Sequence, residues 1–159
     1  MIISNSRKFI FVHIHKAAGT ALKVALQPHL AWNDLVIGGS QFGDAVAPAY
    51  ETHFGLTKHG GIQQIIDQCG AALVKDYFSF AIVRDPVARS VSLYNYIAEF
   101  FRYKGQSLGL QHDDLVIAAR QEQLEMTPNL KFLDWPATRA YYLSPNFSDF
   151  IRSKELESD

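Results

Sequence analysis

The sequence has a single cysteine, Cys69, in 159 residues, so no internal disulfide can form and a reducing compartment is the natural reading. It has no apolar run of the roughly 18 residues that a membrane-spanning helix needs. It does not open on a secretory signal, because Ser4, Asn5, Arg7 and Lys8 interrupt the first apolar residues at once. Together these absences predict a cytoplasmic chain. An excess of one charge is missing too: formal net charge is −1, which argues against broad electrostatic binding to nucleic acid or an anionic membrane but leaves room for a local basic pocket. The six histidines and sixteen carboxylates show no H-E-x-x-H or calcium-loop spacing, so no metal is expected, and no G-x-S-x-G elbow occurs. What is present is 48% hydrophobic and 19% charged, a folded composition long enough for one sizeable core. Without repeats, low-complexity runs or a linker, residues 1–159 read as one domain.

Apolar and β-branched runs predict strands over 8–14 and 77–83. Between them, a helix is expected over 20–30 with Leu22, Ala25, Leu26 and His29 on one face and Pro28 disturbing its end. Residues 31–58 read as irregular, punctuated by Gly38, Gly39, Gly43, Pro48 and Gly55, with Val36-Ile37 and His53-Phe54 readable as short strands. A helix over 61–69 stops at Gly70, and 71–76 is a short connector. Pro86 opens a helix to about 103, capped by Asp85, whose apolar face is Val87, Val91, Tyr94, Ala98 and Phe101. Lys104 to Gly109 reads as a loop, 113–125 as a helix and 146–153 as a short one, with Trp135-Pro136 as a break.

The most informative stretch runs from Phe9 to Leu22. A strand passes through the loop His15-Lys16-Ala17-Ala18-Gly19 into a helix starting near Thr20. Such a junction suits phosphate: loop and first-turn N–H groups face the anion, and the helix dipole adds roughly half a positive charge. Lys16 supplies a full charge and Thr20 a hydroxyl donor. The order differs from the nucleotide triphosphate loop G-x-x-x-x-G-K-[ST], because Lys16 comes first and Gly19-Thr20 follow it.

That order, within H-I-H-K-A-A-G-T-A-L, resembles the 5'-phosphosulfate loop of sulfotransferases, whose usual form is close to H-I-P-K-T-A-G-T-S-L. His15 stands in place of the proline, and Ala17 in place of a hydroxyl residue, which removes one donor but leaves the backbone donors. A second stretch, Val83-Arg84-Asp85-Pro86 through Ser92, looks like the 3'-phosphate motif of the same family, an arginine at a strand end followed eight residues later by a serine. Lys58-His59-Gly60-Gly61 and Tyr77 to Ala81 are similar to the carbohydrate subgroup, whose members often read K-H-A-T-A and F-K-F-A-F-V-R-N-P. The likeness covers roughly residues 8–103, and members usually continue further, so the chain reads as minimal or truncated at its C-terminal end, or as diverged there.

The resemblance implies a three-layer, P-loop-like α/β fold with a central parallel sheet flanked by helices. It implies 3'-phosphoadenosine 5'-phosphosulfate as donor, held by Lys16, Ala17, Ala18, Gly19, Thr20 and Ala21 at the phosphosulfate and by Arg84 and Ser92 at the 3'-phosphate. Lys16 would also act in catalysis, neutralising charge on the bridging oxygen as the sulfuryl group leaves. The acceptor would be a hydroxyl, on a carbohydrate. His59 is the candidate base, with a helix-start histidine bonded to backbone as the structural alternative. His13 reads as a satisfied interior polar group and His15 as loop filler. Two other functions stay open: a donor-binding module without turnover, and a kinase-like nucleotide-binding protein.

Overall fold

The first ten residues fold back on themselves. In the computed structural model, which describes residues 1–124 and 127–158, Ile2–Ser4 (β1) and Phe9–Val12 (β2) pair antiparallel, with Ile3 opposite Ile10. Lys8 ends the turn between them with φ 57°. Leu35–Val36 (β3) pairs antiparallel to β1, and Phe78–Ala81 (β4) pairs parallel to β2. The sheet order is β3-β1-β2-β4. The central parallel sheet is therefore corrected to a mixed one, in which only β2 and β4 run parallel. The cause is local: four residues join β1 to β2, and a connection that short permits only a hairpin, since a parallel pair needs a long crossover.

The chain divides into two compact units, Met1–Asp85 and Pro86–Asp159. In the first, alternate strand residues supply one core face. Met1, Ile3, Ile10, Ile37, Leu56 and Ile65 are buried together, and Val12, Leu35, Ala47, Tyr50, Cys69 and Leu73 pack against them. Helices α1 (Gly19–Leu26), α2 (Gln41–Phe54), α3 (Ile62–Cys69) and α4 (Ala71–Asp76) belong to this unit. A 3-10 turn, Gln27–His29, ends α1 at Pro28. The buried positions of α1 are Gly19 and Lys23, not the predicted leucine and alanine face.

The stretch read as irregular contains the fourteen-residue α2. Ser40 caps it, its Oγ accepting from Gly43 N at 3.0 Å, and Gly55 ends it at φ 61°. His53-Phe54 is the last turn of that helix and not a strand. Ahead of β3, the Asp34 carboxylate accepts from Ser6 N at 2.9 Å, Ser6 Oγ at 2.7 Å and Ala31 N at 2.8 Å. This fastens the hairpin turn to the 31–34 loop.

The second unit is helical: α5 (Pro86–Ser107), α6 (His112–Arg120), α7 (Pro136–Leu143) and α8 (Phe147–Phe150). Its α5 runs past the predicted loop start at Lys104 and buries Leu93, Ile97, Phe101 and Gly105. Val87 and Val91 are exposed, so the predicted apolar face is displaced in the first two turns. Tyr141 and Tyr142 belong to the core with Leu115, Leu130 and Phe150. Trp135-Pro136 starts α7, and the predicted end of α6 at Glu125 lies outside the described residues.

Candidate functional site

The parallel pair β2 and β4 sets the geometry. Val12 stands opposite Ala81, so the loops after both strands leave the same edge of the sheet. Lys16 follows β2 by four residues and Arg84 follows β4 by three. Ligands of α/β folds collect at such carboxyl ends.

The loop after β2 has a distinctive backbone. Lys16 and Ala18 both take left-handed conformations, φ 58° and 62°, with Ala17 between them buried. Left-handed backbone costs a non-glycine residue about 1–2 kcal/mol, so the surroundings must hold this loop in shape. Alternation of this kind turns successive N–H groups toward one concave side, an anion-binding nest. Ala18 then serves as N-cap of α1 without a side-chain cap. Leu22 N donates to Ala18 O at 3.3 Å, so Gly19, Thr20 and Ala21 form the open first turn, and their N–H groups have no place in the helical ladder. Thr20 and Ala21 are exposed.

Three histidine rings, His13, His15 and His59, gather at this loop. His13 is buried, and a Cβ at Gly19 would overlap its ring, so only glycine fits there. His13 is not the satisfied polar group that its sequence position suggests: its Nδ1 is buried and has no hydrogen-bond partner among the described residues. His59 Nδ1–H donates to the His13 carbonyl at 2.8 Å, which leaves Nε2 as the basic nitrogen. Nor is His15 loop filler, for its ring stacks on His59 at 3.5 Å between centroids. Burial, with the charges of His59 and Lys23, pushes His13 down to about 3. Burial also pushes His59 down to about 4; the bond to His13 works the other way, and the charges of His15 and Lys58 add to the drop.

Positive charge converges on the same edge. Burial lowers the Lys16 ammonium below its ordinary range, and the charges of Arg84 and then Lys58 lower it further. Lys58 also bears on His13 and His59. It packs across the turn after β3, where a Cβ on Gly38 would meet its Cδ at 2.5 Å. From the other side Lys23, 2% exposed, donates to the carbonyls of Ile37 at 2.6 Å and Gly38 at 2.9 Å. Neither lysine stands out in the sequence, although Lys58 falls inside the quoted K-H motif.

The first unit thus brings Lys16, Lys58, His59 and Arg84 together at one sheet edge, with the 16–21 backbone beside them. Ser92 lies in the second unit, partly buried on α5. Among the described residues no group of three or more His, Cys, Asp or Glu could hold a metal, and no helix is long and apolar enough to cross a membrane. No curated protein and no solved structure matches the chain. A family model described as the sulfotransferase family matches residues 1–152. With nearly the whole length matched, this chain belongs to the sulfotransferase family.

Proposed function

We propose that the protein transfers a sulfuryl group from 3'-phosphoadenosine 5'-phosphosulfate to a hydroxyl of a carbohydrate. Membership of the family supports sulfuryl transfer in general. The observation that favours this donor is the meeting of two motifs. Lys16 and Arg84, on loops after neighbouring parallel strands, are close enough for Arg84 to depress the Lys16 ammonium. A molecule with a phosphosulfate at one end and a phosphate at the other suits two such anchors.

In this reading the N–H groups of 17–21 and the Thr20 hydroxyl hold the phosphosulfate. Lys16 stabilises charge that develops on the bridging oxygen, an interaction strongest in the transition state. Arg84 grips the 3'-phosphate through its planar guanidinium. The part of Ser92 rests on the spacing of the motif alone. His59 Nε2 takes the proton of the acceptor hydroxyl, with the ring held by His13 and His15. The carbohydrate class rests on the likeness of the Lys58-His59 and Tyr77–Ala81 stretches to that subgroup.

Calorimetric titration with adenosine 3',5'-bisphosphate beside ADP tests the donor. The wild type is expected to prefer the bisphosphate by at least about tenfold, a difference of about 1.4 kcal/mol, and Arg84→Ala to abolish the preference. Equal affinities in the wild type would overturn the assignment.

A further inference from the structure

A cleft of about 310 Å³ opens in the first unit, lined by the second half of α1, the 30–34 loop and the start of α2. Two large aromatics belong to its walls: Trp32, 97% exposed, and Phe42, 69% exposed. Gln27, Asp34 and Ser40 supply polar groups. The volume falls at the small end of ligand sites and admits a single sugar ring.

The wall chemistry points to a sugar ring. Bare aromatic faces suit the C–H face of a pyranose, and rings this exposed cannot enclose an apolar ligand, so the occupant must bring its own hydrated groups. Gln27 offers both a donor and an acceptor. The Asp34 carboxylate already accepts from Ser6 and Ala31 and serves to hold the 31–34 wall of the cleft in place.

The cleft also adjoins the cation cluster. Thr20 and Lys23 lie on α1 and Gln27 opens the 3-10 turn that continues it, at i, i+3 and i+7, so Thr20 in the first turn and Gln27 in the cleft lie about 10 Å apart along the axis. Lys23 lines the cleft and holds the Gly38 carbonyl, while Lys58 packs against Gly38. A short oligosaccharide spans that distance.

We propose that this cleft is an acceptor subsite that binds a pyranose ring beyond the one carrying the reacting hydroxyl. The proposal rests on the carbohydrate reading above but not on the donor. It is tested without nucleotide, by titrating the ¹⁵N-labelled chain with chitotriose and with cellotriose. At millimolar sugar, one of the two is expected to shift the Trp32 indole and the amides of Gln27, Ala31 and Ser40. Trp32→Ala and Phe42→Ala should each weaken binding at least about tenfold while affinity for adenosine 3',5'-bisphosphate is unchanged. No shift at these residues with either sugar, or binding that survives both substitutions, overturns the subsite. So does p-nitrophenol binding there in preference to both sugars. If sugars bind at the cleft while the bisphosphate fails to bind anywhere, the subsite stands and the donor assignment falls.

Discussion

A methyl group at position 19 would occupy the space of the His13 ring, and that ring is buried and cannot swing away. Gly19→Ala should therefore push the 15–19 loop off its shape. Overpacking of this kind costs about 1–3 kcal/mol, and the loop that would hold the phosphosulfate moves with it. Calorimetry should show bisphosphate affinity falling at least about tenfold. Adding His13→Ala removes the obstruction and should restore much of the loss; a double variant no better than Gly19→Ala would mean that the clash is not the cause. His59 is judged by pH. A base held near 4 stays unprotonated well below neutrality, so the acid limb of kcat/KM should fall near pH 4 and not at the ordinary 6.5. His59→Ala should keep bisphosphate affinity and lose about 10²–10⁴ in turnover. A limb at 6.5, or turnover unchanged in the variant, removes His59 as base. Lys16, Gly19 and Arg84 were legible in the sequence because a strand–loop–helix junction is a local pattern. Lys23 and Lys58 were not, because their setting depends on residues 14 and 20 positions away, at Ile37 and Gly38.

At the scale of the element, α2 shows how punctuation misleads. Gly43 and Pro48 argue for a loop, yet Ser40 caps a helix that contains both. Gly43 is buried against Gly38, where a Cβ would sit 3.0 Å from the Gly38 backbone, so close packing accounts for it. Pro48 is exposed and removes one rung of the helical ladder without evident return. Pro48→Ala should raise stability by about 1–3 kcal/mol in urea titration, with bisphosphate binding unchanged. A drop in stability would show that the proline ring is needed there. Pro136 misleads in the opposite way: it reads as a break, and it stands at the first position of α7, where its missing N–H costs nothing. The hairpin of β1 and β2 was hidden because Ile2–Ser4 is only three residues long and polar residues follow it at once. The parallel strands β2 and β4, with longer apolar runs, were visible, and it is these two that position Lys16 and Arg84.

Over the whole molecule the charges nearly balance, but the balance is uneven in space: Lys16, Lys23, Lys58 and Arg84 sit close together in the first unit, with His13 and His59 kept neutral among them. That neutrality links stability to pH. His13 titrates at about 3 when folded and near 6.5 when unfolded, so between those values the unfolded chain holds the extra proton. Stability is therefore complete above about pH 6.5 and falls as pH drops, by about 1.4 kcal/mol per unit for His13. His59 contributes in the same direction, over a window that closes near pH 4 instead of 3. Between pH 7 and 5 the loss from His13 alone comes to about 2 kcal/mol, before ordinary carboxylates begin to titrate. Urea midpoints at the two pH values measure it, and His13→Gln should flatten the slope even if it lowers stability at both. Equal midpoints for the wild type at pH 7 and 5 would mean that these histidines are not held neutral.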